Sequence, residues 1–65
     1  MTPDYYRFGD VQVMDISRYL SSNGGQAVQY IARSTRLDGR NKGETVKDLK
    51  KAIDMISDEI SRLEE

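Results

Sequence analysis

The sequence has no cysteine and no histidine. Without cysteine no disulfide forms. Without either residue, zinc and most transition-metal sites lose their usual ligands, and only carboxylate sites for hard ions are left. The missing histidine also leaves Ser17, Ser21, Ser22, Ser34, Ser57 and Ser61 without the base that a nucleophilic triad requires. No catalytic residues, metal ligands or cofactor are therefore assigned. Proline occurs once, at position 3. No apolar run approaches the roughly 20 residues of a membrane span. The opening residues 1–7 hold no apolar signal core. The expectation is a cytoplasmic protein with no membrane contact.

What is present is short: 65 residues, read as a single domain over 1–65. A chain of this size buries only about 60% of its unfolded surface, and such domains usually carry a staple. With disulfides and transition metals removed, self-association is the staple that remains, so a homo-oligomer is expected. The charged fraction of 32% is nearly balanced in sign, which fits a folded surface better than a disordered tail.

The charge is unevenly placed. Residues 33–51 hold seven bases against three acids, a local +4 in a chain of net charge −1. Residues 1–32 carry −1, and residues 52–65 carry −4. A basic island in an otherwise acidic chain is a candidate anion site, with phosphate the leading ligand.

The periodicity gives an all-α fold of about three helices behind an extended N-terminal arm. The arm spans residues 1–9, with Tyr5, Tyr6 and Phe8 packing on the body. The first helix is placed at 10–21, capped by Asp10, with Val13, Ile16 and Leu20 on one face and Met14 filling the core. A strand over Val11 to Met14 is the rival reading, since Val11 and Val13 alternate with Gln12. The second helix is placed at 25–36, with Asn23 and Gln26 in a capping-box spacing and Ala27, Val28 and Ile31 on its apolar side. Residues 37–43 form a loop.

The third helix is placed at 45–63, with Thr45 and Asp48 capping its start. Val46, Leu49, Ile53, Ile56, Ile60 and Leu63 recur at spacings of 3, 4, 3, 4 and 3, an a/d stripe over more than two heptads. Burying six such side chains contributes roughly 1.5–3 kcal/mol each before entropy is subtracted. The stripe packs within the monomer, across a subunit interface, or both. Lys50–Asp54 and Asp58–Arg62 stand at i, i+4 and read as surface ion pairs.

Gln26, Tyr30 and Arg33 form a polar stripe on the second helix, with Gln29 and Arg36 alongside. Arginine forks suit phosphate oxygens and a tyrosine ring stacks. Arg33, Arg36, Arg40 and Lys42 are the candidate phosphate holders. Tyr30 would position the ligand, Gln26 would hydrogen-bond it, and Asp48 would orient Arg33. The plainer reading is a solvated basic face with Arg33 paired to Asp48. The loop is not a P-loop, because no Gly-Lys-Ser/Thr ends it and no strand feeds it. A helix-turn-helix is disfavoured by the long connection and the acidic end of the third helix, so duplex DNA is not an expected partner.

The order of pieces Tyr5-Tyr6, Gln12-Val-Met-Asp-Ile16, Gly25-Gln-Ala-Val-Gln-Tyr-Ile-Ala-Arg33 and Asp48-Leu-Lys-Lys-Ala52 resembles the small SaV-like phage family of unknown function, often labelled nucleotide-kinase-like. The resemblance covers nearly the whole chain. Tyr5 stands where the family has histidine, Gln26 where it has asparagine, and Gln29 where it has lysine. Asp54 and Met55 replace an aromatic pair. The resemblance implies a phage accessory protein in the host-cell cytoplasm with a nucleotide or similar phosphate ligand. With those polar residues replaced, it implies at most a vestigial kinase. The alternative is an interaction module that binds a host or phage protein.

Overall fold

The computed structural model describes residues 4–41 and 44–65. It is mostly helical, as expected, with a small two-stranded sheet at its N-terminal end. A 3-10 turn, Asp4–Tyr6, leads into β1 (Arg7–Phe8) and β2 (Val11–Gln12). Three α-helices follow: α1 (Val13–Ser17), α2 (Ser22–Ser34) and α3 (Thr45–Leu63).

The described part of the expected extended arm is therefore a turn and a tight antiparallel hairpin, with Arg7 opposite Gln12 and Phe8 opposite Val11. Gly9 opens the two-residue connection at a φ of 62°. Mirror-image hairpin turns require that sign, and glycine adopts it without steric cost. Asp10 thus belongs to the hairpin turn and caps no helix. The strand reading of Val11 holds for Val11–Gln12, and the first helix is cut to Val13–Ser17. Its start is held by Asp15, whose Oδ2 accepts from the Gln12 amide at 2.8 Å.

After Ser17 the chain tightens. The Tyr19 and Leu20 amides bond back three residues, to the Ile16 and Ser17 carbonyls. That 3-10 closure satisfies orphan carbonyls and turns the chain into α2. Ser21 rather than Asn23 is the α2 N-cap, its Oγ accepting from the Gly24 amide at 3.0 Å. α2 therefore begins at 22 instead of 25 and stops at 34 instead of 36. At Gly25 a β-carbon would stand 3.2 Å from the Ser17 carbonyl oxygen, so the glycine permits a close approach of α2 to the end of α1.

α3 matches its expected span, but its cap differs. Glu44 is the N-cap and makes no side-chain cap bond. Thr45 Oγ1 donates to the Ser34 carbonyl at 3.3 Å, and Asp48 is engaged elsewhere. α2 and α3 form an antiparallel hairpin, with Asn23 reaching Asp58 and Ser34 reaching Asp48. Two small residues stand on its contact line beside larger ones. Ala27 and Ala52 are buried there, and Val13 joins them as the other buried apolar residue among the described ones.

The apolar stripe of α3 does not pack inside this monomer. Val46, Ile53, Ile56, Ile60 and Leu63 are 46–69% exposed, and Leu49 is half-buried. The residues α3 turns toward α2 are Asp48, Ala52, Met55 and Glu59, each buried or half-buried. Ile16 and Leu20 also face outward, and Met14, expected in the core, is 54% exposed. With α1 only five residues long, it has no face wide enough to bury them.

Candidate functional site

Asp48 is the centre of a polar seam between the end of α2 and the start of α3. Arg33 Nε donates to its Oδ2 at 3.0 Å and Arg33 Nη2 to its Oδ1 at 2.8 Å. Ser34 Oγ donates to Oδ2 at 2.9 Å. Ser34 and Asp48 are almost fully buried. The Arg33 bond, helped by Ser34, holds the Asp48 carboxyl below the usual carboxylate range against the opposing effect of desolvation. Asp48 in turn raises the Arg33 pKa, and the Tyr6 side chain adds to that. The Tyr30 ring carries Arg33 at 5.1 Å from its centroid and Lys51 at 5.6 Å, both cation–π contacts.

A second knot sits just beyond α2. Arg36 Nε and Nη2 donate to the two Asp38 carboxylate oxygens at 2.9 and 2.6 Å. The Arg40 amide donates to Asp38 Oδ1 at 3.1 Å. The Arg36 bonds, then that amide, bring the Asp38 pKa down to about 2. The Arg36 guanidinium lies 4.0 Å over the Phe8 ring, which ties the hairpin to the end of α2.

The opposite end of the helical hairpin is pinned as well. Ser21 Oγ donates to Glu59 Oε2, and Asn23 Nδ2 donates to Asp58 Oδ2 at 2.7 Å. Arg62 pairs with Glu59 three residues back, at 2.8 Å, and not with Asp58. Arg62 first, then Ser21, brings the Glu59 pKa down to about 2. Lys50–Asp54 is not among the ion pairs found in the described residues. The Asp48 and Asp58 carboxylates bond to α2 and Glu59 to its N-cap Ser21, and no group of three or more potential metal ligands occurs among the described residues.

The structure thus gathers Tyr30, Arg33 and Asp48 of the sequence-named residues. Arg36 and Arg40 belong to the separate Asp38 knot. Gln26 is exposed and donates to Ser22 Oγ at 3.1 Å, about two turns from Arg33 along the helix. Lys42 lies outside the described residues. Sequence reasoning missed Ser34, Lys51, Tyr6 and Asp38. The available signal was spacing: Ser34 adjoins Arg33, and Lys51 follows Asp48 by three residues on the same helix face.

Chemically, both arginine forks are filled by carboxylates of the chain itself. An incoming phosphate would compete with Asp48 for Arg33 and with Asp38 for Arg36. The side chains of Arg40, Lys47 and Lys50 are exposed, so the accessible positive charge of the basic segment lies toward the start of α3. No helix among the described residues is long and apolar enough to cross a membrane. No family model, curated protein or solved structure matches the chain.

Proposed function

We propose that the chain is a non-catalytic interaction protein that works as a homo-oligomer, with the α3 stripe as its assembly surface. One observation carries this reading: five large aliphatic residues in a/d register stand 46–69% exposed on a single copy. Soluble monomers rarely leave contiguous apolar patches beyond a few hundred Å² in water. The buried apolar set of Val13, Ala27 and Ala52 is meagre, and the polar seams at both ends of the hairpin leave the stripe as the main unspent source of burial. The resemblance to the phage family supports a place as an accessory protein in the host-cell cytoplasm. Sedimentation velocity at micromolar concentration tests the assembly. A dimer or larger species is the expected result, and a folded 7.4 kDa monomer alone overturns it.

A second reading, a nucleotide or similar phosphate ligand, is favoured by exposed Arg40, Lys47 and Lys50 in the +4 segment. Its test is the melting temperature against a nucleotide panel, since a ligand that binds only the folded state raises it. A rise that shrinks with added salt supports this reading. No shift with any nucleotide at saturating concentration removes it and leaves the interaction reading.

A further inference from the structure

We infer that the occupant of the α3 stripe is the α3 of a second copy, running antiparallel about a two-fold axis near the middle of the helix. This rests on the homo-oligomer reading and adds the partner element, its direction and its register.

The direction follows from charge. Beside the stripe, residues 47–50 carry Lys47 and Lys50 with Asp48, which is already bound to Arg33, while Lys51 is held over the Tyr30 ring on the far side of the hairpin. Residues 54–65 carry five acids, of which Glu59 is bound to Arg62 and Asp58 to Asn23, and the other three are Asp54, Glu64 and Glu65. A parallel pairing would set basic beside basic and acid beside acid. An antiparallel pairing sets each basic half along the partner's acidic half, and complementary potentials of this kind select orientation.

The register follows from the stripe. Antiparallel heptads pair each a position with a d position of the partner. Val46 then meets the partner's Leu63, Ile53 meets the partner's Ile56, and Ile60 meets the partner's Leu49. Every stripe residue finds a layer, and none is left over. The axis falls between Asp54 and Met55.

The area is close to what a specific interface needs. α3 has 19 residues, a length of about 28 Å at ~1.5 Å per residue. The Tyr30–Lys51 contact marks one side of the α2–α3 hairpin. At ~100° per residue, Ile31 on α2 and the stripe on α3 both fall on the other side. Ile31 is exposed there and widens the patch. Two such patches with their flanking polar atoms approach the ~1,200 Å² at which specific interfaces begin.

The absence of native cysteine makes the test direct. Val46→Cys and Leu63→Cys are prepared separately, each at an exposed position, and oxidised alone and as a mixture. The expected result is a disulfide dimer in the mixture joining positions 46 and 63, with little product from Val46→Cys alone. Ready self-linking of Val46→Cys, in a protein that is oligomeric by sedimentation, means parallel helices and overturns the antiparallel geometry while leaving assembly intact. An oligomer with no crosslink in any sample overturns α3 as the interface. A monomer by sedimentation overturns assembly itself.

Discussion

At Asp48, burial and pairing act in opposite directions. Desolvation disfavours its charge, and the bonds from Arg33 and Ser34 more than offset that, since its pKa ends below the ordinary value. Ser34→Ala removes a buried donor to a charged acceptor, so a loss of about 1.5–3 kcal/mol is expected, read as a lower urea midpoint. An unchanged midpoint would mean water replaces the hydroxyl. Asp48→Asn should cost more, because Arg33 keeps its charge and loses its counter-ion. The acid limb of stability has the same origin. Glu59 falls from 4.5 to about 2 and Asp38 from 3.8 to about 2 on folding, and Asp48 falls below 3.8. Depressed values mean that the charged forms belong to the fold, so their stabilisation is complete above about pH 4.5 and drains away toward pH 2. Circular dichroism should therefore show a fold that holds near neutrality and melts progressively more easily across that window. A melting temperature flat down to pH 2 would contradict the pairings. The Arg33–Asp48 pair was legible as the plainer reading of the basic face. Ser34, Lys51 and Tyr6 were not, because their contacts depend on how α2 lies along α3.

Among the elements, legibility tracked length. α3 shows its heptads over 19 residues and has the span its periodicity predicts. The first helix offered only a few apolar positions, and the same Val11 and Val13 also satisfy a strand alternation, so hairpin and helix divided the segment. Asn23 had capping-box spacing, yet Ser21 took the cap two residues earlier. The stripe itself was read correctly as a stripe. Sequence alone left open whether it packs within the monomer, and the face α3 turns to α2 is instead Asp48, Ala52, Met55 and Glu59. Small residues on that line set the approach of the two helices, with Ala27 and Ala52 both buried. Ala52→Leu should force the helices apart and cost about 1–3 kcal/mol, the usual range for overpacking. Chemical denaturation reads it, and an unshifted midpoint would mean that the hairpin does not close there.

For the whole molecule, the seams and the stripe carry separate loads. The seams hold α2 to α3 within one copy through Asp48, Asp58 and Glu59. The stripe is free to bind outside it. Removing the stripe should then cost assembly first and the monomer's hairpin only secondarily. Ile53, 60% exposed, gives the cleaner site, because a charge there faces water in the monomer and is desolvated without a partner only in the assembled state. Ile53→Asp should lower the sedimenting mass to that of one chain. It should also abolish any dependence of the melting temperature on protein concentration, which the native chain should show because association stabilises the folded state by mass action. Ile56, less exposed at 46%, should respond the same way, with some added loss of monomer stability from its buried half. If both substitutions leave mass and melting curve unchanged, the stripe touches nothing and the protein's stability must come from the hairpin seams alone.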